Sequence, residues 1–179
     1  MIGPPERSET ARYYDRYIDR VQEPDVLAAL ESQLERTSKF LSGISAEDSA
    51  HRYAPGKWSI RQVWSHVNDT ERLFVFRAFW FARGFDSPLP GFDQDVSAAA
   101  HDADAVAWER HLEEFRAVRT ATLSFFRNLA PEAWMRRGIA SDSPFSVRAL
   151  AWITAGHVEH HIAVLREKYL PDRPVPDGS

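Results

Sequence analysis

In four long stretches of this 179-residue chain the apolar residues recur at three- and four-residue spacing, and nowhere is there convincing strand alternation with hairpin turns. A chain patterned this way buries its side chains along helices, so the expected fold is all-α. The first long stretch, about Asp25 to Ser42, places Leu27, Leu30, Leu34, Thr37 and Leu41 on one face and stops near Gly43. The second opens at Ser59, three residues before Gln62 in a capping-box spacing, and runs to about Gly84 with Ile60, Val63, Val67, Phe74 and Ala78 as its stripe. The third, about Asp104 to Leu129, turns Trp108, Leu112, Phe115, Thr122, Phe126 and Leu129 inward ahead of Pro131. Ser146 caps the fourth, and Pro171 ends it.

Four such helices joined by connections of unequal length make a four-helix bundle, whose facing helices supply any site. A short extra helix from about Glu9 to Gln22 is expected before it, with Tyr13, Tyr14, Tyr17, Ile18 and Val21 on one edge. Gly84 to His101, between the second and third helices, is dominated by Gly, Pro, Asp and Ser, so a long crossover loop bordering a pocket is expected there. At 44% hydrophobic and 27% charged residues, the chain reads as one globular domain over 1–179 with its core at about 25–170. The tail, Asp172 to Ser179, is expected to be a mobile or surface-lying end.

Composition removes several classes of partner. A net charge of −4 gives no reason to expect nucleic acid or an anionic membrane surface. No run approaches the roughly 18 apolar residues of a membrane span. Met1 to Arg7 lacks the basic-then-apolar pattern of a secretory signal, so the expected address is cytoplasmic. The absence of cysteine means that any metal sits on nitrogen and oxygen, and that any reactive thiol arrives with a substrate or cofactor.

Three of the chain's seven histidines crowd one helical turn, in Gly156-His157-Val158-Glu159-His160-His161. At about 100° per residue, His157 and His161 lie within roughly 40° of each other, one turn apart. Leu150, Ile153, Thr154, Val164 and the stem of Lys168 share their side, so the pair looks inward. Inward imidazoles without partners cost on the order of 1–3 kcal/mol per unsatisfied group; a shared metal ion relieves this, and so could buried hydroxyls or carboxylates. His66, at the edge of the second helix's apolar stripe, is the candidate third ligand. His160, about 60° from His157 and about 100° from His161, is expected to shape the pocket or shuttle a proton. Asp69 and Glu71 follow His66 by three and five residues; either could orient a ligand histidine or pair with Arg72 or Arg119. The aromatic run Phe74, Phe76, Phe79, Trp80 and Phe81 is expected to fill the core, with a dimer face as the alternative. Trp58 is expected to staple its loop to the bundle or line the pocket.

Tyr53-Ala54-Pro55-Gly56-Lys57-Trp58-Ser59-Ile60 is followed by His66, Asp69 and Glu71, then by Leu89-Pro90-Gly91-Phe92-Asp93 and Arg119, and closed by Gly156-His157 with His160-His161. In that order these segments resemble the DinB/YfiT-like superfamily over roughly Leu27 to Arg166. The resemblance implies a four-helix bundle, often a homodimer, holding a divalent metal ion on three histidines, here His66, His157 and His161. It also implies metal-dependent hydrolysis, or transfer of a low-molecular-weight thiol to a small electrophile. Three neutral imidazoles leave the ion an open position, and nitrogen ligation suits zinc or nickel, the expected ions, and also copper, iron or cobalt. The expectation is therefore a metal-dependent transferase or hydrolase for a small-molecule substrate; the alternative is a non-catalytic bundle whose ion ties the second and fourth helices together.

Overall fold

Three of the long helices begin where a side chain can accept the free N–H groups of a first turn. The computed structural model describes residues 1–171, and the expectation made for residues 172–179 lies outside them. After a single helical turn, α1 (Asp15–Ile18), Asp25 caps α2 (Val26–Ser42) by accepting from the amides of Leu27 and Ala28. A short α3 (Ala46–Ser49) leads to α4 (Ile60–Ala82), where Ser59 accepts from the Gln62 amide and Gln62 returns the bond to the Ser59 amide. Next come α5 (Gln94–Ala100), α6 (Trp108–Arg127), the strands β1 (Arg137–Ala140) and β2 (Ser143–Ser146), and α7 (Val147–Val164), which Ser146 caps through the Ala149 amide. The chain is mostly helical, and α2, α4, α6 and α7 form the bundle.

The packing follows the stripes. Ile60, Val63, Val67, Phe74 and Ala78 of α4 are buried, as are Trp108, Leu112, Phe115 and Phe126 of α6. Helix α7 is buried almost all round from Val147 to Val158, so it is the central helix of the bundle. Two apolar clusters form, one around Trp64, Phe115, Val158 and Ile162, the other around Phe74, Phe81, Phe126, Phe145 and Trp152.

Between the clusters runs a polar layer that ties all four long helices. Arg119 on α6 is wholly buried and donates from Nε and Nη2 to the two carboxylate oxygens of Glu71 on α4, both at 2.8 Å. Its Nη1 donates to Leu30 O (3.2 Å) and Gln33 Oε1 (2.8 Å) on α2, and Gln33 Nε2 donates to Ala155 O on α7 (2.8 Å). The layer satisfies each buried charge with a partner, as burial at this depth requires.

Four expectations need correction. The helix expected from Glu9 to Gln22 is replaced by 3-10 turns at Arg7–Glu9 and Arg12–Tyr14 followed by the one turn of α1. Tertiary contacts override local propensity there. The buried Glu9 carboxylate accepts from Ser146 Oγ (2.6 Å) and from Arg148, and Gly156 lets the Tyr17 backbone lie so close that an added Cβ would stand 2.0 Å from its carbonyl oxygen. The expected crossover loop contains α5, started by Asp93 accepting from the amides of Asp95 and Val96, and a 3-10 turn at Ala103–Ala105, so α6 starts at Trp108 rather than Asp104.

The antiparallel β1–β2 hairpin is a further addition to an all-α expectation. Its two-residue turn, Ser141 (φ 48°) and Asp142 (φ 55°), takes left-handed backbone without the Asn-Gly or Asp-Gly pair that usually marks such a turn. The crossover segment joins it, with Leu89 N donating to Ile139 O (2.9 Å) and Ser141 N to Leu89 O (3.2 Å). Finally, not all of the aromatic run enters the core: Phe74 and Phe81 do, while Phe76 and Phe79 face outward. No described helix is long and apolar enough to cross a membrane.

Candidate metal centre

Helices α4 and α7 pack along each other and bring His66 to face His157 and His161. Ring centroids are 5.2 Å apart for His66–His157 and for His66–His161, and 4.5 Å for His157–His161. One ring nitrogen from each lies within 4.8 Å of the other two, and Nε2 of His157 stands 3.1 Å from Nε2 of His161. Nitrogens bonded to a tetrahedral ion at about 2.0–2.1 Å are about 3.3 Å apart, so the α7 pair already has close to a chelating separation.

Burial keeps these rings neutral, the form that offers a lone pair to a cation. His66 is pushed down to about 4, chiefly by desolvation. His157 and His161 fall well below the ordinary histidine range for the same reason, aided by repulsion from neighbouring imidazoles.

Thr70 sets the tautomer of His157. Its hydroxyl donates back along α4 to His66 O (2.7 Å), leaving its lone pairs toward His157 Nδ1 at 3.3 Å. Nδ1 therefore carries the proton as donor to Thr70, and the Nε2 lone pair points to the trio. Two Nε2 lone pairs facing at 3.1 Å repel unless one is protonated or a cation lies between them, and the buried His161 Nδ1 has no hydrogen-bond partner among the described residues. The donor set fits a divalent ion.

The other expected residues fall as follows. Asp69 and Glu71 do not meet the histidines: Asp69 accepts from Ser97 Oγ (3.3 Å) and lies 3.6 Å from Arg72, and Glu71 is taken by Arg119. The orienting oxygen is the Thr70 hydroxyl, which a search for carboxylates passes over although Thr70 shares a helix face with His66. His160 lies edge-on to Tyr17 and His161, lines the pocket and stays outside the trio. Trp58 does both things expected of it. Its ring lies 5.4 Å from His66 at the pocket wall, and its carbonyl accepts from the Tyr169 hydroxyl.

The trio opens into a pocket of about 480 Å3 walled by Tyr14, Tyr17, Trp58, Phe74 and Phe92, within the ordinary size range for small-molecule sites. Thr70→Val keeps the shape of the side chain and removes the acceptor for His157 Nδ1. We expect metal affinity to fall by about 10–100-fold with little change in melting temperature, measured by competition with a chromophoric chelator. Unchanged affinity would exclude the orienting role of Thr70.

The chain is 24% identical over 142 residues to a protein of Oceanobacillus iheyensis named "Putative metal-dependent hydrolase", covering 78% of this chain and 81% of that one. Its fold is similar to that of YfiT from Bacillus subtilis, described as a probable metal-dependent hydrolase with an unusual four-helix bundle topology, with a TM-score of 0.65 at 18% identity over 91% of this chain and 89% of that chain. The family model of the DinB superfamily matches residues 29–165, which take in α4, α6, α7, all but the first turn of α2 and all three histidines of the trio, and the chain belongs to that superfamily.

Proposed function

We propose that this protein is a metal-dependent hydrolase of a small-molecule substrate, with a divalent ion held by His66, His157 and His161. The observation that carries the reading is the convergence of three neutral imidazoles at a pocket large enough for a substrate. A bound zinc-like ion supplies Lewis acidity, lowering the pKa of water to about 7. The residues do the rest. Thr70 fixes the lone pair of His157, and Trp58 and Phe74 pack against the rings of His66 and His157, so the donors are held in place before an ion arrives. His160 stands at the pocket wall, edge-on to Tyr17.

A purely structural ion is the competing reading, and the accessibility of the site speaks against it: His161 is only half-buried and the trio opens on the pocket. Metal analysis of the untagged protein, followed by hydrolysis of a panel of nitrophenyl esters before and after stripping and zinc or nickel reconstitution, tests the proposal. We expect about one equivalent of ion, and activity that disappears and returns with it. Equal rates with and without the ion would refute it, and a bound ion that supports no turnover but whose removal lowers the melting temperature steeply would favour the structural role.

A further inference from the structure

Among the described residues two arginines are buried, and they are treated differently. Arg119 has the bidentate carboxylate of Glu71. Arg77 on α4 is 2% exposed, yet among the described residues no carboxylate pairs with it. Its Nη2 donates to neutral acceptors only, Pro90 O (3.2 Å) and Ser141 Oγ (2.8 Å), with the Tyr14 hydroxyl nearby and the Phe145 ring centroid 6.0 Å away. Its buried Nε–H has no acceptor among the described residues. A buried cation without a counterion carries an unrelieved desolvation cost, which in this guanidinium shows as a pKa pushed down by burial.

Arg77 lines the same pocket as the trio. It stands eleven residues after His66, three turns along α4 and within about 20° of the same face, so the two mark opposite ends of a floor roughly 16 Å long. Leu73 and Phe74 lie between them. The lining holds two arginines, Arg16 and Arg77, and four histidines but no carboxylate, in a chain with an acidic excess. The left-handed backbone at Ser141, unusual for a residue with a side chain, brings its hydroxyl to the guanidinium and steadies it.

We propose that Arg77 is a specificity-determining residue that pairs with an anionic group of the substrate, a carboxylate or a phosphate, borne on an apolar body whose other end reaches the histidines. This rests on the hydrolase reading for the reacting end, while the anion subsite stands on Arg77 alone. The substrate anion supplies the counterion that the fold omits, and the apolar body covers Leu73 and Phe74.

The test is a ligand-detected NMR titration of the metal-free full chain with hexanoate and with neutral hexanamide, in phosphate-free buffer. Hexanoate should bind more tightly than hexanamide. Arg77→Met should weaken hexanoate by roughly tenfold or more, the scale of one charge-assisted hydrogen bond, and leave hexanamide unchanged. Arg77→Gln, which retains a neutral donor for Pro90 O and Ser141, serves if the methionine variant does not fold. No binding by the parent, equal binding of acid and amide, or an affinity indifferent to both Arg77 variants overturns the proposal. Hexanoate that binds only the zinc-loaded protein and survives the loss of Arg77 sits on the ion, which overturns the anion subsite and leaves the hydrolase reading intact. Loss of hexanoate binding on Arg77 replacement in a protein that hydrolyses no ester does the reverse.

Discussion

His157→Ala/His161→Ala should yield a folded, helical protein that holds no stoichiometric metal and hydrolyses at the rate of buffer alone. The two substitutions remove the α7 pair, whose Nε2 atoms are 3.1 Å apart, and leave His66 as a single imidazole that cannot chelate. If losing an outer-shell partner costs about 10–100-fold in affinity, losing two of three ligands should cost far more. Stability moves in two directions. Two cavities open, at the usual cost of truncating large buried side chains, while the buried and partnerless His161 Nδ1 disappears together with the repulsion among the rings. Those effects oppose each other, so the metal-free melting temperature should change by only a few degrees. Elemental analysis beside circular dichroism reads both quantities, and a variant that still carries one equivalent of metal would show that the ligands are elsewhere.

Glu71→Ala should be the most destabilising single substitution in the bundle. It strips the carboxylate from a guanidinium that is wholly buried and that also bonds Gln33 and Leu30, so an uncompensated charge remains where α2, α4, α6 and α7 meet. Breaking a buried pair in this way costs about 3–5 kcal/mol, and at roughly 2–4 °C per kcal/mol for a chain of this size the melting temperature should fall by about 6–20 °C. Glu71→Leu/Arg119→Met should recover much of the loss, since the charge leaves with its partner. Recovery should be incomplete, because Gln33 Oε1 and Leu30 O then lose their donor. Urea unfolding of the parent and both variants measures the difference, and a Glu71→Ala midpoint close to the parent's would mean that water or another acceptor reaches Arg119.

Glu71 illustrates how far sequence reasoning reaches. Its position at the centre of an apolar stripe shows that it needs a partner, but Arg119, a histidine and a metal site satisfy that need equally on a helical wheel. The separation of 48 positions between Glu71 and Arg119 is closed only by the packing of α4 on α6. The trio differs. His157 and His161 are four apart on one helix, so their pairing is local and legible, and His66 follows once the resemblance is seen. Thr70 was within reach of the same reasoning, being one turn from His66, but a hydroxyl is a less obvious orienter than a carboxylate.

The sequence by itself determined the helical class, the four long helices with their buried stripes, the Ser59 and Ser146 caps, and the histidine pair, because each depends on contacts within a few residues along the chain. Tertiary structure alone decided which partner each buried charge received, the collapse of the N-terminal helix into turns against α7, and the Ser141–Asp142 hairpin that comes up against Arg77. Those outcomes turn on contacts between segments tens to more than a hundred residues apart. There the relief of burying a charge or fitting a backbone against a glycine outweighs preferences of a few tenths of a kcal/mol per residue, roughly the span of local propensity.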